Sequence, residues 1–480
     1  MYEEKMTLHT DKYQINMMYA HWVNGTLGRK AAFEAYFRKL PFGNGYAVFA
    51  GLDRMIDYIL GLRFTEEDIE YLRQQEERYD EGFYDELRAF RFSGDIRSAA
   101  EGTLVFPGEP LFRVEARIFE AQLVETALLN FMNYQTLVAT KASRIKRVAP
   151  DDVLLEFGTR RAQEADAAVW GARAAYLAGF HATSNMRAGA LFGIPVKGTH
   201  AHSWVQDHDS EEEAFLRYAQ ALPDHVSLLV DTYDTLRSGV PNAIRTAKRL
   251  EAAGKRLESI RIDSGDLAYT SKKAREMLDD AGLKDVKIIA SNDLDENIIL
   301  DLKAQNAQID IWGVGTQLIT AADQPYLGGV YKLVAREADD GALVPVIKIS
   351  GNPEKVSNPG VKDVYRIVDK RTGKAAADYV ALRGEELPAG KPLELVDPAH
   401  PYWNKTVEDY EAIPLLRPVF ERGACVYARP GLDEIRRSHA EQTGLFWPEY
   451  LRKLNPEVYR VYLSPAAWQL RVELIRKYQG

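Results

Sequence analysis

The chain predicts an α/β fold of successive βα units between residues 153 and 334, set between an α+β segment before it and strands followed by helices after it. Three observations predict this. Apolar runs of strand length, rich in Val, Ile and Leu, recur through the region as strands buried on both faces should. Amphipathic stretches of helical length separate most of them. Each run also closes on a polar, chemically capable cluster: residues 156–161 (EFGTRR), 197–203 (KGTHAHS), 231–234 (DTYD), 261–266 (RIDSGD), 291–293 (SND) and 313–316 (GVGT). In βα folds functional groups gather beyond the carboxyl ends of the strands, so these clusters are expected to share one site.

The elements follow in order. Residues 7–23 read as a helix, with Thr10 or Asp11 able to cap it and Tyr13, Met17 and Ala20 on one face. On that face Tyr13 reads as a core-facing aromatic. Residues 31–38 alternate as a strand, and residues 41–45 (PFGNG) form a turn. Residues 51–91 look helical, and residues 101–115 hold short strands around a Pro-Gly turn. Residues 118–147 predict a long amphipathic helix, broken near Tyr134. After Val334 strands and turns continue through 348–352 to about 396, and residues 433–480 are mostly helical. The expected division is an α+β domain over 1–150, an α/β barrel over 151–365, and a C-terminal region over 366–480 that packs on the α+β domain.

Whole-chain properties bound the function. A chain of 480 residues implies two or three domains. No apolar stretch reaches the roughly 18–20 residues that span a bilayer, and the first residues (MYEEKMTL) lack the apolar core of a signal peptide. The single cysteine, Cys425, excludes an internal disulfide and any multi-cysteine metal site. A cytoplasmic protein is expected, with no membrane partner. A net charge of −9 argues against nucleic acid as a partner, yet leaves room for a small anion held by local arginines and backbone N–H groups.

The clusters suggest their chemistry. His200 and His202 lie two apart just past a strand, so both face one way if the segment is extended. They suit either a divalent metal or one catalytic histidine beside a structural one. Arg261 and Asp263 share a face at the next mouth, a guanidinium fork for a carboxylate or phosphate and an acceptor for ribose hydroxyls or magnesium. Asp231 and Asp234 repeat the theme. Gly313 and Gly315 can turn N–H groups toward a phosphate, and Phe157 beside Arg160 can stack on a flat ring while an anion is held. Pooled, these groups describe a sugar-phosphate site that also handles a planar anion.

Residues 10–14 (TDKYQ), 156–161 (EFGTRR), 183–185 (TSN), 198–203 (GTHAHS), 261–266 (RIDSGD) and 313–316 (GVGT) together resemble the nicotinate phosphoribosyltransferase family. The similarity runs from near residue 7 to about 365, more weakly through residues 413–418 (IPLLRP). No single motif is specific; six in the right order are. The resemblance implies a type II phosphoribosyltransferase with an irregular or incomplete (β/α) barrel and an α+β domain. It implies transfer from 5-phosphoribosyl-1-pyrophosphate to nicotinate in NAD biosynthesis, with Mg2+ present and ATP as co-substrate through a phosphorylated histidine. ATP coupling places such enzymes among the ligases. The matching position is His202. A homodimer is implied, with Tyr13 of one chain completing the other's site.

Under that resemblance Phe157 and the neighbouring chain's Tyr13 sandwich the pyridine. Arg261 and Ser203 take the nicotinate carboxylate, with Arg160 near for substrate anions. Asp231 and Asp263 face ribose and magnesium, and Asn185 orients His202. Gly313, Gly315 and Thr316, helped by Asn292 and Asp293, hold the 5-phosphate. The spacing identifies no set of protein metal ligands. The competing readings are nicotinamide or quinolinate as the acceptor, a metal-dependent barrel hydrolase built on His200 and His202, and a non-catalytic nucleotide sensor.

Overall fold

A computed structural model describes residues 5–352, 355–388, 390–397, 400 and 402–479. The chain divides into two compact units, residues 1–137 with 326–480, and residues 138–325.

The first unit is built on a seven-stranded sheet ordered Leu343–Pro345, Gly329–Glu337, Lys30–Phe37, Phe112–Arg117, Asp95–Ser98, Arg417–Glu421 and Ala424–Cys425. Its neighbours all pair antiparallel. This places residues 329–337 away from the barrel segment in which a boundary at 365 put them, because they pair with Lys30–Phe37 from Phe37↔Gly329 to Ala31↔Arg336. Local pattern reports a strand's existence; the partner that claims it is a tertiary matter. At the other boundary the division falls inside the helix Glu125–Val148 rather than after it. The C-terminal region joins the same unit, for Arg417–Glu421 pairs with Asp95–Ser98.

Two helical expectations change in detail. The segment 118–147 breaks at Val124, between Ile118–Leu123 and Glu125–Val148, and Tyr134 lies inside an unbroken helix. A break near Tyr134 is the expectation from sequence. Buried Thr136 instead bonds the backbone N–H and C=O of Ala50, which removes its competition with the helix. The first helix spans Lys12–Val23 and buries Gln14, Ile15 and Met18, while Tyr13 is 49% exposed. Tyr13 is therefore no core residue. Asp11 precedes the helix without capping it, its carboxylate taken by the Thr126 hydroxyl at 2.8 Å.

Also in this unit lies a second sheet ordered Tyr410–Pro414, Lys362–Asp369, Lys374–Leu382, Val461–Leu463. It carries a buried charge cluster. Arg366 forks onto Asp378 at 3.0 and 2.7 Å, Tyr459 donates to Asp378 at 3.0 Å, and Glu109 sits beside them with Oε2 lacking a hydrogen-bond partner. Burial first, and the charge of Asp378 second, push the Glu109 carboxyl well above the usual glutamate range. A raised acid pKa means that the folded state holds a proton which the unfolded chain has released. Stability from this group is thus complete below the ordinary glutamate pKa and is lost as pH rises toward and through the raised value, at up to about 1.4 kcal/mol per pH unit. Glu109→Gln keeps an acceptor for Phe106 N–H and cannot ionise. Thermal melting from pH 5 to 8 should show a flatter pH dependence for Glu109→Gln than for the wild type; parallel curves would place the ionised form in the fold.

The second unit is a parallel sheet ordered Ala182–Thr183, Val153–Glu156, Ile311–Val314, Lys287–Ala290, Leu257–Ile262, Val226–Leu229. A further parallel bridge joins Thr183 to Val196. Chain order therefore runs round the sheet and returns, as in a barrel, but the ladder stops between residue 196 and Val226–Leu229. This is the irregular, incomplete α/β barrel that the family resemblance implies. Alternation decides the faces. Leu228, Val230, Ile260, Ile262 and Ile288 pack outward against helix residues such as Ala247, Ala274 and Leu278. The intervening residues face inward around a cavity of about 600 Å³ lined by Leu155, Phe157, Thr199, Ser259, Ile289 and others. No helix among the described residues is long and apolar enough to cross a membrane.

Candidate active site

The strand ends of the second unit converge through a continuous set of side-chain contacts. Arg261 is their hub. Its Nε donates to Ser291 Oγ at 2.8 Å, Nη1 to Thr199 Oγ1 at 3.2 Å and Nη2 to Asp263 Oδ1 at 2.7 Å. Ser291 donates in turn to the same Asp263 oxygen. The alternation that set Arg261 and Asp263 two apart on one strand end makes this pairing local. Ser291 and Thr199 arrive from other strand ends. Three of the five guanidinium N–H groups are engaged, so Nη1 and Nη2 each retain one for an anion.

Phe157 stands over this hub, its ring centroid 5.5 Å from the Arg261 guanidinium carbon. Its N–H donates to Val314 O at 2.8 Å, which ties the 156–161 loop to the glycine loop. Gly313 is required there for space. A Cβ at 313 would lie 2.6 Å from the Phe157 ring. Below, Glu156 is buried and accepts from Thr183 Oγ1 at 2.5 Å and from the Gly158 N–H. Burial raises its pKa, and those two donors oppose the rise. It braces the loop that carries Phe157.

Asp231 and His202 form the second half. Asp231 Oδ2 accepts from Asp263 N–H at 2.9 Å and from Ser264 Oγ at 2.6 Å. Its Oδ1 is buried without a partner and faces His202 Nε2 at 3.9 Å. His202 opens the helix His202–Gln206, its side chain is 41% exposed, and its Nδ1 lies 3.1 Å from Thr232 Oγ1. His200 behaves differently. It is 8% exposed, its Nε2 takes the N–H of Leu229 at 3.1 Å, and burial pushes its pKa down, which keeps it neutral. Both ring nitrogens of His200 thus face backbone groups, and it offers no metal-binding lone pair beside His202. Among the described residues no group of three or more His, Cys, Asp or Glu side chains could hold a metal ion. With both His200 nitrogens facing the backbone, the described residues supply no ligand set for a hydrolase built on both histidines.

The remaining predicted residues fall as follows. Gly315 leads into the short helix Thr316–Ile319, 3.1 Å from Phe157 O by the position of a Cβ, and Thr316 begins that helix. Asn292 (φ 89°) and Asp293 (φ 35°) are exposed in left-handed conformations in a backbone bend just past the Lys287–Ala290 strand. Arg160 is exposed on the 3₁₀ turn Thr159–Arg161 beside Phe157. Asn185 caps the helix Met186–Phe192, accepting from Ala188 N–H at 2.9 Å, which leaves its amide nitrogen for any orienting role. Ser203 is exposed, and the hydroxyl bonded to Arg261 is Thr199 instead. Asp234 is a turn former, its Oδ1 accepting from Leu236 and Arg237 N–H. Sequence reasoning gave no role to Thr199, Thr232, Ser264 or Ser291. All are small hydroxyl residues at strand ends, a signal too common to single out without the fold.

Comparison with known proteins gives one consistent result. Residues 8–133 match the nicotinate phosphoribosyltransferase N-terminal domain, residues 153–369 the nicotinate phosphoribosyltransferase family, and residues 361–471 the corresponding C-terminal domain. The chain is 54% identical over 477 residues to nicotinate phosphoribosyltransferase of Bacillus subtilis, covering 99% of this chain and 96% of that one. It is 36% identical to the Caenorhabditis elegans protein of the same name, covering 96% and 92%. The crystal structure of human nicotinic acid phosphoribosyltransferase superposes with a TM-score of 0.86 at 30% identity, over 97% of this chain and 99% of that one.

Proposed function

The chain belongs to the nicotinate phosphoribosyltransferase family, and from that premise we propose how its barrel mouth carries out the family's reaction. The enzyme joins nicotinate to 5-phosphoribosyl-1-pyrophosphate, giving nicotinate mononucleotide and pyrophosphate for NAD biosynthesis. The observation that carries the assignment of roles is the Phe157–Arg261–Asp263 arrangement, a flat ring and a guanidinium with spare donors held over one carboxylate.

Phe157 stacks on the pyridine, and the unengaged N–H groups of Arg261 receive the nicotinate carboxylate, with Ser203 and Arg160 at the rim. The pyridine nitrogen already holds the attacking lone pair and needs orientation more than activation. As the C1′–O bond to pyrophosphate breaks and the N1–C1′ bond forms, positive charge grows on the ribose. Asp231 and Asp263 stabilise it as fixed carboxylates that need no reorganisation. The backbone of Gly313, Gly315 and Thr316, with Asn292 and Asp293, encloses the 5-phosphate.

His202 is the acceptor of the ATP γ-phosphoryl group. An imidazole nitrogen displaces ADP, and water later releases phosphate from the histidine. Its exposure and the Thr232 contact support an accessible, oriented ring. The buried, unpartnered Asp231 Oδ1 fits a cation as neighbour, so Asp231 and Asp263 would face Mg2+. When bound, the ion neutralises charge on the departing pyrophosphate. Tyr13, half-exposed on its helix, supports a homodimer in which each chain offers this ring to the other's site.

The test is one assay with two readouts, nicotinate mononucleotide and ADP, in reactions with 5-phosphoribosyl-1-pyrophosphate, Mg2+ and each of nicotinate, nicotinamide and quinolinate, with and without ATP. The expected result is strong preference for nicotinate, with ADP formed alongside product. Preference for nicotinamide would overturn the Arg261 role, preference for quinolinate the single-carboxylate reading of the pocket, and ATP-stimulated product formation without ADP would overturn the His202 role.

A further inference from the structure

His200 stands where the barrel fails to close. The 182–183 strand pairs onward with residue 196, through Thr183 N–H to Pro195 O and Lys197 N–H to Thr183 O, both 3.0 Å. On the far side, Val226–Leu229 pairs with Leu257–Ile262, where Val230 N–H reaches Arg261 O at 3.0 Å. Alternate N–H groups of a strand point to opposite edges, so Leu229 N–H points into the gap. Leu229 is 1% exposed, and a buried backbone donor without a partner is costly. The acceptor is a side chain: His200 Nε2 at 3.1 Å, with His200 Nδ1 3.2 Å from Ala201 O. Because the partner of Nε2 is an amide N–H, Nε2 must accept, and the ring proton belongs on Nδ1 facing the carbonyl. Phe215 and Tyr218 hold the ring at centroid distances of 5.9 and 4.9 Å.

We propose that His200 is a positioning residue: its imidazole substitutes for the missing strand pairing at the open edge of Val226–Leu229, and so fixes the segment that presents His202. Three anchors then hold that segment against two neighbouring strands, His200 on Leu229, Thr199 under Arg261, and His202 on Thr232. The role rests on the reading of His202 as the phosphoryl acceptor.

Two substitutions separate acceptor from bulk. His200→Gln keeps an acceptor near the place of Nε2, and His200→Phe keeps ring volume but strands the Leu229 N–H. The rate of phosphohistidine formation from ATP is expected to fall about tenfold or more in His200→Phe and to recover most of the way in His200→Gln, with the KM for nicotinate within about twofold in both. Equal loss in the two variants, or wild-type rates in His200→Phe, would overturn the proposal. Nitrogen-15 spectra of histidine-labelled wild-type protein, without substrate, should show His200 as the Nδ1–H tautomer. An Nε2–H tautomer would overturn it whatever His202 does. Labelling that persists in His202→Ala would instead overturn the reading of His202 on which the rate arm depends, leaving the spectra to decide whether His200 accepts from Leu229.

Discussion

His202→Asn should abolish ATP-dependent phosphorylation of the protein while leaving slow, ATP-independent synthesis of nicotinate mononucleotide. Asparagine keeps a polar group near Thr232 but has no nucleophilic nitrogen, so no phosphoryl adduct can form. Removing a covalent acceptor costs on the order of a thousandfold or more in the step it serves. The fold should be untouched, because the ring is 41% exposed and makes one hydrogen bond to a neighbouring hydroxyl. Acid-labile radiolabel from γ-labelled ATP, measured beside product formation, separates the two activities. Full labelling of the variant would remove His202 from the coupling step.

The second large effect is expected at Arg261. Arg261→Lys preserves the charge but loses the planar fork that bonds Ser291, Thr199 and Asp263 at once. An ammonium cannot hold all three partners and still face a carboxylate. A loss of about 100-fold in kcat/KM for nicotinate, roughly 2.7 kcal/mol, is expected. The loss should be selective: nicotinamide has no carboxylate to miss the fork, so the ratio of the two substrates' kcat/KM should collapse. An unchanged ratio would show that Arg261 supports the wall and does not read the acid.

Both predictions depend on contacts between residues far apart in sequence, and they differ in how far the sequence anticipated them. Arg261 and Asp263 were legible as partners because period-two alternation puts residues two apart on one face. That Asp231 turns its Oδ2 to the Asp263 backbone, leaving Oδ1 toward His202, depends on the packing of neighbouring strands. The pair of histidines was the clearest ambiguity. Spacing alone let both point one way and bind one metal. The helix that starts at His202 breaks the extended run between them, so one ring is buried on Leu229 and the other stands open beside Asp231.

The βα rhythm and the strand ends that carry chemistry were legible in residues 153–316, because burial on two faces forces apolar runs and function forces polar stops, and the family likeness ran wider, from near residue 7 to about 365. Tertiary structure alone decided three things. It moved the strand Gly329–Glu337 out of the barrel segment, since an apolar strand goes to the edge that satisfies its backbone donors and acceptors. It turned Tyr13 outward by choosing which face of the Lys12–Val23 helix to bury. It also left the parallel ladder open beside Leu229, where the unpaired N–H took a histidine ring as its acceptor.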